Sequence, residues 1–198
     1  MKQQGKSLHT LIPLEVFKSL LGVDDREDKI ARFCLVASTF TIEQYCKRRL
    51  LQKKHFERMG FYGDLFLPLG EYPVNKILAV YTFGSGEILE SEFYNVIPDC
   101  GSYEDIPYTL SLSPALKRYH GFSAVKVIYW AGYANSDVPA DLASACLELA
   151  SWNMNRYRRR RIGVTGNVRG SGRDGEHFEL SMPENVKALL EPYRRKVI

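Results

Sequence analysis

The sequence predicts an α+β fold, mainly α, in which packed helices carry a small antiparallel β-sheet inserted between a long second helix and a third helix. Two patterns predict it. Apolar residues recur at steps of three and four up to about Arg49 and again beyond Asp137, the spacing of a helix with one buried face. Between Gln52 and Trp130 that spacing gives way to short β-branched and aromatic runs broken by Gly and Pro, the mark of short strands joined by turns. Composition agrees: with 198 residues, 45% hydrophobic and 25% charged, the chain sits near the averages of a folded globular domain. Folding at that size buries roughly 70% of the unfolded chain's surface, so a core forms without disulfides.

Pro13 opens a first short helix, where its fixed φ and missing N–H cost nothing; Leu14, Phe17, Leu20 and Leu21 follow at helical spacing and Gly22 stops it. Asp24 and Glu27 resemble a capping box for a second helix from about Asp25 to about Arg49. Ile30, Phe33, Ala37 and Phe40 define the stripe expected to be buried, and Leu35, Ile42, Tyr45 and Cys46 widen it. Apolar residues therefore lie on more than one side of this helix.

Strands are expected at Phe66 to Pro68, Lys76 to Phe83, Ile88 to Leu89, Phe93 to Ile97, Tyr108 to Leu112 and Val125 to Trp130, with Gly84, Ser85 and Gly86 as a hairpin turn that uses glycine's tolerance of positive φ. Pro139 lies in the first turn of the third helix, capped by Asp137 or Val138. Leu142, Cys146, Leu149 and Trp152 make its inner face, with Ala143, Leu147, Ala150, Met154 and Tyr157 beside it. Gly163 to Gly175 is glycine-rich and poor in apolar residues, and a last helix is expected from Pro183 to Arg195 with Ser181 as a candidate cap. The expected organisation is a core domain over 1–162, a flexible arm over 163–180 and a C-terminal helix over 181–198.

The residues do not assemble a catalytic or metal-binding motif. His9, His55, His120 and His177 are scattered, without HExxH spacing. Cys34, Cys46, Cys100 and Cys146 form no CxxC pair and read as reduced core residues. The glycine-rich stretch lacks the GK[ST] ending of a phosphate loop, and Gly84-Ser85-Gly86 lacks the strand-to-helix context of a nucleophile elbow. No enzyme activity, cofactor or metal is expected. No apolar run reaches the ~20 residues that span a bilayer, so no membrane partner is expected, and the polar start of the chain lacks a signal peptide's apolar stretch.

The net charge of +4 is unevenly placed: Asn155 to Arg161 reads NRYRRRR, and Arg169, Arg173, Arg194 and Arg195 follow. Arginines this dense complement a helix's negative end and also favour an approaching phosphate or carboxylate surface. A basic nucleic-acid-binding module using Arg156 to Arg161 is thus the alternative to a purely structural role.

Three segments carry a resemblance. TIEQYCKRRLLQKKHF (Thr41 to Phe56) looks like a helix closing on a basic residue and leucine before a first strand. LPLGEYPVNKILAVYTFGSGEILESEFYNV (Leu67 to Val96) holds a strand after a Pro-Val step, a glycine turn and a tyrosine before the next strand. VKVIYWAGYANSDVPADLASACLELASWNMNRY (Val125 to Tyr157) runs from a strand through an Ala-Gly-Tyr turn into a proline-opened helix closing on Asn-Arg. In that order they resemble the head-tail connector (adaptor) family of tailed bacteriophages over about Pro13 to Arg158; the arginine run ending at Arg161 and the glycine arm after it depart from it.

The resemblance implies a ring of about a dozen copies, joined head to tail through two different faces. The ring would sit under the portal protein in the virion neck, after assembly in the host bacterial cytoplasm, and meet a stopper or tail-completion protein while DNA passes nonspecifically through its lumen. On that reading Arg156, Arg158, Arg159, Arg160, Arg161, Arg169 and Arg173 are candidate portal- or DNA-facing residues. Tyr193, Arg194 and Arg195 are the candidate partner-facing residues of the C-terminal helix.

Overall fold

The structure, a computed structural model, describes residues 9–60, 65–83, 86–98, 108–115, 124–159 and 182–195. These fall into two compact units, a helical one from Met1–Lys47 with Asp137–Arg194 and a β-rich one from Arg48–Ser136 with Arg195–Ile198. The mixed α+β class is the expected one. The span 1–162 expected as one core domain contributes to both units.

In the helical unit, α1 (Leu14–Leu21) ends at Gly22, whose φ of +62° turns the chain left-handed and lets Val23 N–H donate to the Lys18 carbonyl. Asp24 accepts from the Arg26 N–H and caps a 3₁₀ turn at Asp25–Glu27, which leads into α2 (Asp28–Cys46). The capping residue is the expected one, but it serves this turn and not α2 directly. α2 stops at Lys47, in the left-handed conformation with φ +54°, short of the expected Arg49. α3 (Ala140–Arg158) starts after Pro139, which takes the cap position expected for Asp137 or Val138 and makes no side-chain capping bond. α4 (Glu184–Leu190) gives way to a 3₁₀ turn at Glu191–Tyr193 that contains Pro192, a residue with no N–H to extend the α-helical ladder.

Of the surface expected to be buried on α2, the widening residues Leu35, Ile42 and Cys46 pack inward, but the defining stripe does not. Ala31, Cys34, Leu35, Ser38, Thr39, Ile42 and Cys46 are buried, whereas Ile30, Phe33 and Phe40 are exposed and Ala37 is half-buried. Small residues explain the choice. α3 offers Ala145, Cys146 and Ala150, all fully buried, and helices approach closely only where side chains are short. The contact is tight enough for Asn153 Nδ2 to donate to Ser38 Oγ at 3.0 Å and for Thr39 Oγ1 to lie 3.8 Å from Cys146 Sγ. Burial pushes the thiols of Cys34 and Cys146 up to about 11, which fits inert core residues. On α1 only Phe17 is buried, and Leu20 is 63% exposed. On α4, Val186 and Leu190 are buried and the helix packs on α3.

The β-rich unit holds two three-stranded antiparallel sheets. One has β6 (Ala124–Ala131) between β1 (Lys53–Gly60) and β3 (Val74–Phe83); the other has β5 (Tyr108–Leu112) between β2 (Phe66–Pro68) and β4 (Tyr94–Pro98). Along β6, Val125, Val127, Tyr129 and Ala131 point inward and join Val80, Leu67, Leu69, Leu110 and Leu112 in one core. The inserted β-region is therefore two sheets sharing a core. At the expected hairpin, residues 84–85 lie outside the described residues; Gly86, with φ +72°, donates its N–H to the Thr82 carbonyl.

Candidate assembly interface

α2 packs its small-residue face inward and leaves its aromatic face outward. Phe33 is 56% exposed and Phe40 43%. They lie about two helical turns apart along one face, with Ile30 a turn before Phe33 and Ala37 between them. The α3 ring of Tyr157 meets Phe33 edge-on at 5.6 Å, and the His9 ring lies 5.3 Å from Phe40. Lys29 and Arg32, both exposed, flank the row. An apolar strip rimmed by charge is the composition of a contact surface.

The arginines of the basic run divide. Arg156 is half-buried with its guanidinium 4.6 Å over the Trp152 ring. Arg158 donates through both Nε and Nη2 to the Glu27 carboxylate, Nε at 2.9 Å. This pairing holds Glu27 below the usual carboxylate range and raises the Arg158 guanidinium. Arg159 is exposed at the end of α3. Arg160, Arg161, Arg169 and Arg173, with the arm over 163–180, lie outside the described residues.

Tyr193, Arg194 and Arg195 all make contacts within the chain. Tyr193 donates its hydroxyl to Asp141 Oδ1 at 2.6 Å, and Arg194 lies 5.7 Å over the Tyr45 ring. The Arg195 guanidinium sits so close over Gly70 that a Cβ there would come within 2.6 Å of its Nη2.

The converging titratable groups of the β-rich unit form a closed network. Tyr129, fully buried, donates its hydroxyl to Glu57 Oε1 at 2.6 Å and accepts from the Glu71 N–H at 3.1 Å. Glu57 Oε2 accepts from the Gly70 N–H, and Glu71 Oε2 from the Arg49 N–H. Burial raises both the Tyr129 phenol and the Glu71 carboxyl, with Glu57 adding to the phenol's shift. The phenol stays protonated and pins the turn at Gly70 and Glu71 to β6. Sequence reading placed none of these in a site; the signal was Glu57, an inward acid on an alternating polar strand. Among the described residues no group of three or more His, Cys, Asp or Glu is placed to hold a metal, and no helix is long and apolar enough to cross a membrane.

The Ala-Gly-Tyr turn has a backbone reason. Gly132, at φ +101°, faces Leu51, whose carbonyl oxygen lies 2.7 Å from where a Cβ would stand. The neighbouring Tyr133 N–H donates to the Leu50 carbonyl at 2.7 Å, and the Tyr133 carbonyl accepts from the Gln52 N–H at 2.9 Å. Only glycine fits such an approach at that φ, so two of the three resembling segments meet at this point.

No protein-family model and no curated protein matches the chain. Solved structures do. A chain of the neck of an empty GTA particle with C6 symmetry matches with TM-score 0.61 at 20% identity, covering 95% of this chain and 91% of that one. A chain of the virion of a native gene transfer agent (GTA) particle matches at 0.59, and one from the neck of the native GTA particle with C12 symmetry at 0.57, with the same identity and coverage. At that identity the likeness lies in the fold: almost the whole chain is similar in architecture to chains found in such particles.

Proposed function

We propose that this chain is a structural, non-enzymatic subunit of a phage-type particle neck: a head-tail connector that forms a ring beneath the portal protein and joins the DNA-filled head to stopper or tail-completion proteins. The observation that carries the reading is the fold likeness over 95% of the chain to chains of assembled particles, among them necks with C6 and C12 symmetry. The outward aromatic row of α2 supports it, since a ring subunit needs apolar surface that folding alone leaves uncovered.

DNA in the lumen would meet the chain nonspecifically, through phosphate attraction to arginine. The candidates for that role are the arginines of the run from Arg156 to Arg161 with Arg169 and Arg173; within the fold Arg156 stacks on Trp152 and Arg158 pairs with Glu27. The polar network at Tyr129 serves structure: its donors and acceptors satisfy one another.

Size-exclusion chromatography with light scattering, run on the chain alone and with its portal protein, tests the reading. The expected result is a many-subunit species in at least one condition. A monomer in both would contradict it.

A further inference from the structure

We propose that successive copies of this chain join head to tail, with the acidic hairpin around Ile88 of one copy seated on the aromatic, basic-flanked face of α2 of the next. This rests on the ring reading and names the two faces that make the ring.

A closed ring is built on a heterologous contact, in which two different patches of the same chain complement each other. The chain carries such a pair. Residues 77–116 contain six Asp and Glu and no Lys or Arg, and the exposed apolar face of α2 carries Lys29 and Arg32 beside it. Within the acidic stretch Ile88 is 64% exposed. It pairs with Tyr81 only by an isolated antiparallel bridge, and exposed Glu87, Glu90 and Glu92 surround it in the chain. It is an apolar knob in an acidic frame.

The α2 face is the inverse: apolar Ile30, Phe33 and Phe40, with exposed Lys29 and Arg32 beside them. Apolar surface meets apolar surface and each rim meets its opposite sign, an arrangement that steers encounter and rejects mispaired faces. A nucleic-acid backbone would satisfy the cations but would leave the Phe33 and Phe40 rings uncovered. A second copy covers both.

Two variants test the proposal, Phe33→Glu for the helix face and Ile88→Glu for the hairpin. Both sites are more than half exposed, so the fold should persist, checked by an unchanged circular dichroism spectrum. Sedimentation velocity is run in whichever condition assembles the wild type, the chain alone or with portal. Each variant alone should give no ring. Their equimolar mixture should give a one-to-one dimer and nothing larger, because only one intact pair of faces remains and the altered pair would set glutamate against glutamate.

Either variant assembling like wild type, or a mixture that stays monomeric while wild type forms rings, overturns the inference and leaves the ring reading standing. A wild type that assembles in neither condition overturns both. If such a monomer instead binds duplex DNA and Phe33→Glu abolishes that binding, the α2 face is a nucleic-acid surface and the inference is likewise overturned.

Discussion

His55 shows how a single position ties stability to pH. Its ring lies 5.7 Å from that of Tyr129, and its Nε2 is buried without a hydrogen-bond partner. Burial lowers its pKa below the ordinary value of 6.5. The unfolded chain therefore takes up a proton near that value while the folded chain resists it, so folded stability falls as pH drops through about 6.5 and is unaffected by this group well above it. Urea midpoints at about pH 7.5 and about pH 5.5 should differ in that direction, and His55→Phe should reduce the difference; an undiminished difference would place the cause elsewhere. Glu27 adds to the acid sensitivity: its carboxyl is held low by Arg158, so its stabilisation is present above the ordinary carboxylate range and is lost as pH falls through its folded value. Glycine at 132 was legible as a turn, but the Leu51 carbonyl that makes it obligatory belongs to a distant part of the sequence, and nothing local announces it.

Among the elements, α2 separates what periodicity reveals from what it cannot. The helix was legible almost end to end, but two apolar stripes offset by one residue share it, and the larger, aromatic one was expected inside. Packing selected the smaller stripe because α3 approaches through Ala145, Cys146 and Ala150. Truncating Leu35 to Ala should cost about 2–5 kcal/mol, as for other buried leucines. Phe33→Ala should cost under about 1 kcal/mol, the loss of one exposed edge-on ring contact. Chemical denaturation of the two variants checks this, and equal costs would contradict the assignment of faces. β1 went unseen for a related reason. As an edge strand paired only with β6, it alternates half-buried His55, Glu57 and Met59 with exposed Lys54, Phe56 and Arg58, a pattern too polar to register as a strand by composition. The strands of the second sheet were legible because their β-branched and aromatic residues face a core.

For the molecule as a whole, the modest net charge of +4 conceals two stretches of opposite sign. The proposed head-to-tail ring uses the acidic stretch around exposed Ile88 and the aromatic surface of α2 left outside a well-packed helical unit, with Lys29 and Arg32 beside it. The basic stretch drew attention in the sequence; in the acidic one, Glu87, Glu90 and Glu92 lie exposed around Ile88, whose 64% exposure no sequence pattern announces. Tyr193, Arg194 and Arg195, the candidate partner-facing residues of the C-terminal segment, lie against Asp141, Tyr45 and the Gly70 turn, and the proposed ring takes α2 as the partner-facing surface. Electron cryo-microscopy of the purified chain at high concentration, with portal added if needed, tests this most directly. Closed rings with the Phe33 and Phe40 face buried at each subunit boundary are the expected image. Isolated subunits throughout, or rings in which that face looks into solvent, would contradict it.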